Sequence, residues 1–282
     1  MSITAGSDGN FWFTESHVKS QNANHAIGRI TPAGSVTEFV VCTFCFPNDI
    51  VQGPDGILYF TRNDAPLGRI RTTGEVLPIA GEMFQFNGNG LAAHGDDIWV
   101  TDFNNDAIQR YDIPSGTFTP YPIPTPDANP FDVDVDAAGT VWFTESHAAG
   151  SIARLDPATG AVTEFDVPGF PRQLAIAADG AVWFTERFDP QGVGRFDPVT
   201  EQVTFLPLTA VGPEDIAAAP DGSMWFTEST GDRVVNITAA GVITEGKTVK
   251  GSEPVGITVA PDGAAWYTML SANKIASLRP AA

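Results

Sequence analysis

Apolar and polar positions alternate along this chain in runs of four to six residues, and each run stops at a Gly, Asp or Pro. Residues 131–165 show the unit. Phe131-Asp132-Val133-Asp134-Val135 alternates as a half-buried strand and Ala138-Gly139 turns the chain. Val141-Trp142-Phe143-Thr144, Ile152-Ala153-Arg154-Leu155 and Ala161-Val162-Thr163-Glu164-Phe165 then supply three more strands. The second of these runs recurs as Phe11-Trp12-Phe13-Thr14-Glu15, Leu58-Tyr59-Phe60-Thr61-Arg62, Ile98-Trp99-Val100-Thr101-Asp102, Val141-Trp142-Phe143-Thr144-Glu145, Val182-Trp183-Phe184-Thr185-Glu186, Met224-Trp225-Phe226-Thr227-Glu228 and Ala265-Trp266-Tyr267-Thr268-Met269. Its aromatic returns at intervals of 47, 40, 43, 41, 42 and 41 residues. Strand-type units of about forty residues mark a propeller in which each repeat folds as one sheet. The pattern therefore predicts an all-β fold, a seven-bladed β-propeller forming a single domain over residues 1–282. The last repeat passes through Lys274-Ile275-Ala276-Ser277-Leu278 and stops at Ala282, so its blade is expected to have three strands and an exposed edge.

Turn chemistry agrees with the strand pattern. Asp8-Gly9, Asp55-Gly56, Asp179-Gly180, Asp221-Gly222 and Asp262-Gly263 each fall between a first and a second strand, where a tight hairpin needs positive φ. The repeated Trp or Tyr is expected to pack between blades, because a large ring fills the wedge between two twisted sheets.

In an antiparallel blade the first strand begins on the side where the second ends, so the loops at those points share one rim, the expected site at the mouth of the central channel. The inner positions, two residues before each first-strand aliphatic, are Met1, Asn48, Asn89, Phe131, Arg172, Glu214 and Val255. The positions closing the aromatic phrase are Glu15, Arg62, Asp102, Glu145, Glu186, Glu228 and Met269. Third strands carry Arg29, Arg69, Arg110, Arg154 and Arg195 at one repeated place, and the expectation is that Glu15, Asp102, Glu145 and Glu186 pair with these arginines across the hairpin. Glu228 has Asn236 in the corresponding place, so Glu214, Glu228 and Glu253 are expected to converge without a local counter-ion. Carboxylates so gathered would hold a hard divalent cation or act as base. Asn48, Asn89, Phe131, Arg172, Glu145, Glu186, His17 and His147 are the candidate ligand contacts, with His17, His25 and His147 all placed on the rim by the sequence.

Composition narrows the partners. The 34 acids and 15 bases give a formal charge of −19, a field that repels phosphate backbones and anionic lipid, so nucleic acid is not an expected partner. No apolar run is long enough to cross a bilayer as a helix, and a monomer is expected. Cys42 and Cys45 form a Cys-x-x-Cys with no βαβ setting for redox catalysis and no surplus of metal ligands apparent in the sequence, leaving a local disulfide or two free thiols. No secretory segment precedes Ser2 and the first repeat starts at Ile3, as in a trimmed N-terminus, so a secreted and a cytoplasmic location both stay open.

The aromatic-Thr-Glu phrase, the third strand Ile27-Gly28-Arg29-Ile30, the fourth strand Val36-Thr37-Glu38-Phe39 and the linker Tyr121-Pro122-Ile123-Pro124-Thr125-Pro126-Asp127-Ala128 together resemble the virginiamycin B lyase family, the streptogramin B lyases, over essentially the whole chain. The resemblance implies opening of a cyclic depsipeptide by elimination, with Mg2+ stabilising charge at the ester while a base removes the neighbouring carbon-bound proton. It places the family's two active-site histidines at Glu214 and Val255, its glutamate before the last blade's Pro at Glu253, its following acid at Leu270 and its first-blade tyrosine at Met1. Fold and rim are thus implied, while the exchange of both imidazoles argues against streptogramin cleavage by this machinery. Two expectations remain: a pocket for a cyclic ester, lactone or peptide, or a non-catalytic propeller that binds a ligand or protein.

Overall fold

A computed structural model describes residues 1–15, 24–80, 88–147, 149–188, 191–207 and 212–279. Among them, every regular element is a β-strand, and the strands form seven sheets, six of four strands and one of three. This is the seven-bladed β-propeller that the repeats predict. Its last blade, Pro254–Val259, Ala265–Met269 and Lys274–Leu278, has the three strands expected.

The chain divides into two compact units, residues 1–135 and 136–282. The first holds blades one to three, at 3–43, 50–80 and 91–122, and the strand Pro130–Val135. The second holds Val141–Glu145, Ser151–Asp156 and Ala161–Asp166 of blade four, then blades five to seven at 171–207, 213–247 and 254–278.

Within each unit the repeated aromatics fill the gaps between neighbouring blades, as expected. Trp12 lies fully buried against Ile50, Leu58, Phe60 and Ile70 of blade two, and Tyr59 packs with Leu91, Ile98, Val100 and Tyr111 of blade three. In the second unit Trp142 meets Leu174, Val182, Phe184 and Phe196, and Trp225 meets Ile257, Ala265 and Tyr267. Three of these rings have their polar tips satisfied at the first turn: Trp12 Nε1 donates to Asp8, Tyr59 Oη to Asp55 and Trp142 Nε1 to Asp136. Gly9, Gly56, Gly180 and Gly263 of the Asp-Gly turns have φ between 76° and 84° and empty space where a Cβ would stand, so what they supply is conformational freedom.

A third-strand glycine has a different job. A Cβ at Gly28, Gly68 or Gly194 would come within 2.1 Å of the ring of Phe13, Phe60 or Phe184 on the facing strand. Each ring lies flat over the bare backbone, which explains the Gly in Ile-Gly-Arg-Ile.

The blades are tied by the threonine of the aromatic phrase, and all seven of these threonines are fully buried. At Thr14, Thr101, Thr185 and Thr227 the hydroxyl has two partners of fixed kind, and Thr61, Thr144 and Thr268 show one of the two. The hydroxyl accepts from the amide just before the first-strand aliphatic of its own blade, as from Ser2 to Thr14 (2.8 Å), Asp49 to Thr61 (2.9 Å), Asp215 to Thr227 (3.2 Å) and Gly256 to Thr268 (2.9 Å). It donates to the inner-position carbonyl of the next blade, as from Thr14 to Asn48 (2.9 Å), Thr101 to Phe131 (3.3 Å), Thr144 to Arg172 (2.6 Å), Thr185 to Glu214 (3.0 Å) and Thr227 to Val255 (2.5 Å). Two aspartates add a second clasp. Asp49 accepts from the Ile50 and Leu91 amides, and Asp215 from the Ile216 and Ile257 amides, so each carboxylate spans two blades.

Removing one hydroxyl leaves a buried donor and a buried acceptor unpaired. Thr227→Val should lower unfolding free energy by about 2–3 kcal/mol, while Thr227→Ser, which keeps the hydroxyl and loses a methyl, should cost about 1 kcal/mol. Urea unfolding of both variants checks the order.

Candidate functional site

In blades five, six and seven the first and second strands pair at Pro171 with Glu186, Pro213 with Glu228 and Pro254 with Met269, and the register then shifts before Leu174, Ile216 and Ile257. The inner positions Arg172, Glu214 and Val255 therefore sit on β-bulges. A bulge inserts a residue and re-aims its side chain, while the threonine clasp holds the carbonyl of the same residue.

The charges on this rim come in separate sets. Glu186 is fully buried beneath Gly169, whose missing Cβ would lie 2.4 Å from Oε2, and it accepts from the Phe188 amide at 3.0 Å. Desolvation raises its pKa against the pull of the Phe188 and Phe170 amides and Arg172. Burial pushes the Arg172 guanidinium down, an effect opposed by Glu214. Glu214 receives Arg187 Nη1 at 3.1 Å and the Ser229 hydroxyl at 2.7 Å. Glu253, with φ of 51°, is exposed and accepts from Ser271 at 2.6 Å.

Glu228 corrects the sequence reading. It has a local counter-ion after all: Arg233 Nε stands 3.0 Å from its Oε2, and Arg233 also reaches Glu245 at 2.6 Å. The guanidinium comes from the start of the third strand, directly opposite Glu228, and not from the repeated place held by Asn236. Glu214 thus answers to Arg187 and Ser229, Glu228 to Arg233 and Glu253 to Ser271. Among the described residues no group of three or more His, Cys, Asp or Glu is gathered to hold a metal ion.

The expected arginine pairs are also overturned. Strand register sets Arg29, Arg110, Arg154 and Arg195 opposite Trp12, Trp99, Trp142 and Trp183, three residues from the phrase-closing acids. Arg110 instead pairs with Asp97 at 2.8 Å and Arg195 with Asp179 at 2.8 Å, while Arg29 lies over the rings of Trp12 and Phe39 and Arg154 over Phe165. The acids find other neighbours. Asp102 accepts from Asn105 and Gln109, and buried Glu145 lies 3.4 Å from His147 Nε2. His147 Nε2 also meets the Ser151 hydroxyl at 3.2 Å, and its Nδ1 accepts from the Ala149 amide, so in the neutral ring the proton sits on Nε2.

In the first unit Asn48 donates through Nδ2 to the Asn89 carbonyl at 3.2 Å, and Phe131 offers its carbonyl to Thr101. Arg62 is held by Asp64 through two parallel bonds. Burial, reinforced by Glu38, raises Glu15 to about 7. His17 lies outside the described residues. The polar groups that sequence reasoning missed are Arg187, Ser229, Arg233 and Ser271. Arg187 and Ser229 come directly after phrase-closing acids, a signal that the repeat alignment carried.

These sheets and this rim define a repeat-built β-propeller whose inner positions are varied and charged. The sequence profile of the virginiamycin B lyase family matches residues 1–171 and again 89–282. A virginiamycin B lyase from Nocardia farcinica is 32% identical over 141 residues, 48% of this chain and 45% of that protein, so the match covers less than half of the relative's length. A solved streptogramin B lyase is 26% identical with a TM-score of 0.85, over 98% of this chain and 91% of that one. A catalytically inactive virginiamycin B lyase variant from Staphylococcus aureus, solved with quinupristin, is 25% identical with a TM-score of 0.85, over 99% of this chain and 94% of that one. The chain belongs to the virginiamycin B lyase family.

Burial outweighs Arg233 and raises Glu228 from 4.5 to about 7. A carboxyl raised by folding contributes its stabilisation below the unfolded pKa and loses it as pH climbs through the folded value. Glu228→Gln should therefore reduce the fall in Tm between about pH 5 and about pH 8.5, as read by thermal denaturation across that range.

Proposed function

We propose that the rim of the second unit binds a small cyclic ester, lactone or peptide, and that it does not open a streptogramin by the family's own chemistry. The observation that carries this reading is the pair of bulged inner positions, Arg172 and Glu214, backed by Arg187 and Ser229. Their backbones are fixed by the clasps, and the Arg187 side chain is 41% exposed, open to a ligand group that accepts hydrogen bonds. Elimination needs a base at the scissile ester. Val255 has no proton acceptor, and the Glu214 carboxylate is held by Arg187 and Ser229. The charge of −19 favours a neutral or basic ligand over nucleic acid.

Magnesium, the ion that the resemblance implies, enters only as an assay component, and no step is derived through it. The alternative within the same site is a purely non-catalytic propeller that recognises a ligand or protein. The separate pairing of Glu214, Glu228 and Glu253 supports it, since acids held by basic or hydroxyl neighbours are placed for recognition.

Quinupristin is the probe of choice. Calorimetry should show binding that survives chelator and weakens about tenfold in Arg187→Ala, the worth of one charge-assisted hydrogen bond. Chromatography should show no ring opening above buffer with magnesium present. Since elimination leaves mass unchanged and hydrolysis adds one water, mass spectrometry tells the two apart. Magnesium-dependent opening that disappears in Glu253→Gln would overturn the proposal.

A further inference from the structure

Blade one holds a polar group that neither the fold nor the rim uses. His25, in the strand Asn24–Ile30, is 1% exposed, and both of its ring nitrogens are buried without a hydrogen-bond partner. Buried polar atoms left unpaired are rare, and each calls for a chemical reason such as a redox role or an ion.

The surroundings of this imidazole supply one. His25 is the direct cross-strand partner of Cys42 in the strand Val36–Thr43, and the register slips immediately after that pair. Directly opposed side chains on antiparallel strands share a face, with Cβ atoms about 5 Å apart. Cys42 is disulfide-bonded to Cys45, with the two Cα atoms 5.8 Å apart. Phe46, the next residue, has φ of 42° and folds back so that its ring stands 4.4 Å from the imidazole. The loop thus carries both sulfurs to the side of the blade on which His25 lies. Cys45 is fully buried and Cys42 half-buried, so one side of the cluster faces solvent.

We propose that Cys42, Cys45 and His25 form a redox-gated site for a thiophilic divalent metal of the zinc type. While the disulfide stands, the sulfurs are not thiolates and the site is shut. A dithiol reductant gives two electrons and two protons to the disulfide and is itself oxidised to a disulfide, leaving Cys42 and Cys45 as thiols. On metal binding both thiols release their protons to solvent, and neutral His25 offers a ring-nitrogen lone pair. Two sulfurs and one nitrogen, with water on the open side, make a tetrahedral set that zinc accepts. The acidic chain, at −19, adds a field that draws cations in.

Cobalt(II) titration of the full chain tests this, with a phosphine as reductant because it competes weakly for the metal. The reduced protein should bind one cobalt per chain, with a near-ultraviolet thiolate charge-transfer band and visible bands of tetrahedral cobalt, and the oxidised protein should show neither. Cys42→Ser should abolish the charge-transfer band. His25→Ala should weaken binding by more than the roughly tenfold to hundredfold that the loss of an outer-sphere partner costs. Circular dichroism establishes that the variant keeps its sheets, and the oxidised against reduced comparison needs no substitution at all. A reduced wild-type protein without the cobalt bands, or a folded His25→Ala with unchanged affinity, would overturn the assignment.

Discussion

One buried hydroxyl per repeat is the constraint on which this molecule depends. At Thr14, Thr101, Thr185 and Thr227 the threonine of the aromatic phrase accepts from its own blade and donates to the next, so one side chain fixes both the start of a first strand and the spacing between two sheets. Apolar packing between blades is large but without direction, and it would allow the sheets to slide. The hydroxyl supplies direction. Valine, its isostere, would fill the same volume and leave two backbone groups stranded, which is why an apolar residue of the same shape cannot take its place.

The clasps also explain how the rim carries charge. Carboxylates at the ends of second strands are held in places chosen by backbone geometry, and each must then find a neutralising neighbour within reach. Arg233 does this for Glu228 and His147 stands beside Glu145, while on the neighbouring first strand Arg187 and Ser229 hold Glu214. Burial still dominates at Glu228 and Glu186, whose carboxyls take up protons more readily than free ones do. The outcome is a rim of distinct polar pairs.

Much of the fold was legible in the sequence. The aromatic phrase and the Asp-Gly turns stem from local chemistry that a single repeat displays. The pairings were less legible, because they depend on register. Five arginines at one repeated place looked like partners for the phrase-closing acids, yet antiparallel pairing from Glu15 opposite Ala26 sets Arg29 three residues away, beside Trp12. Arg233 was missed for the opposite reason: it stands outside the repeated place, and only pairing opposite Glu228 reveals it. The environment of His25 was hidden by a one-residue slip between its strand and the next, which no periodicity records.

The clasp touches only the backbone carbonyl of each inner position, and the side chain there takes no part in it. Asn48, Phe131, Arg172, Glu214 and Val255 all serve the same threonine bond while differing in size, charge and polarity. Cohesion and selectivity are thereby assigned to different atoms of one residue. A lineage built this way can rewrite its chemistry by point substitution without reopening the question of whether the ring still folds.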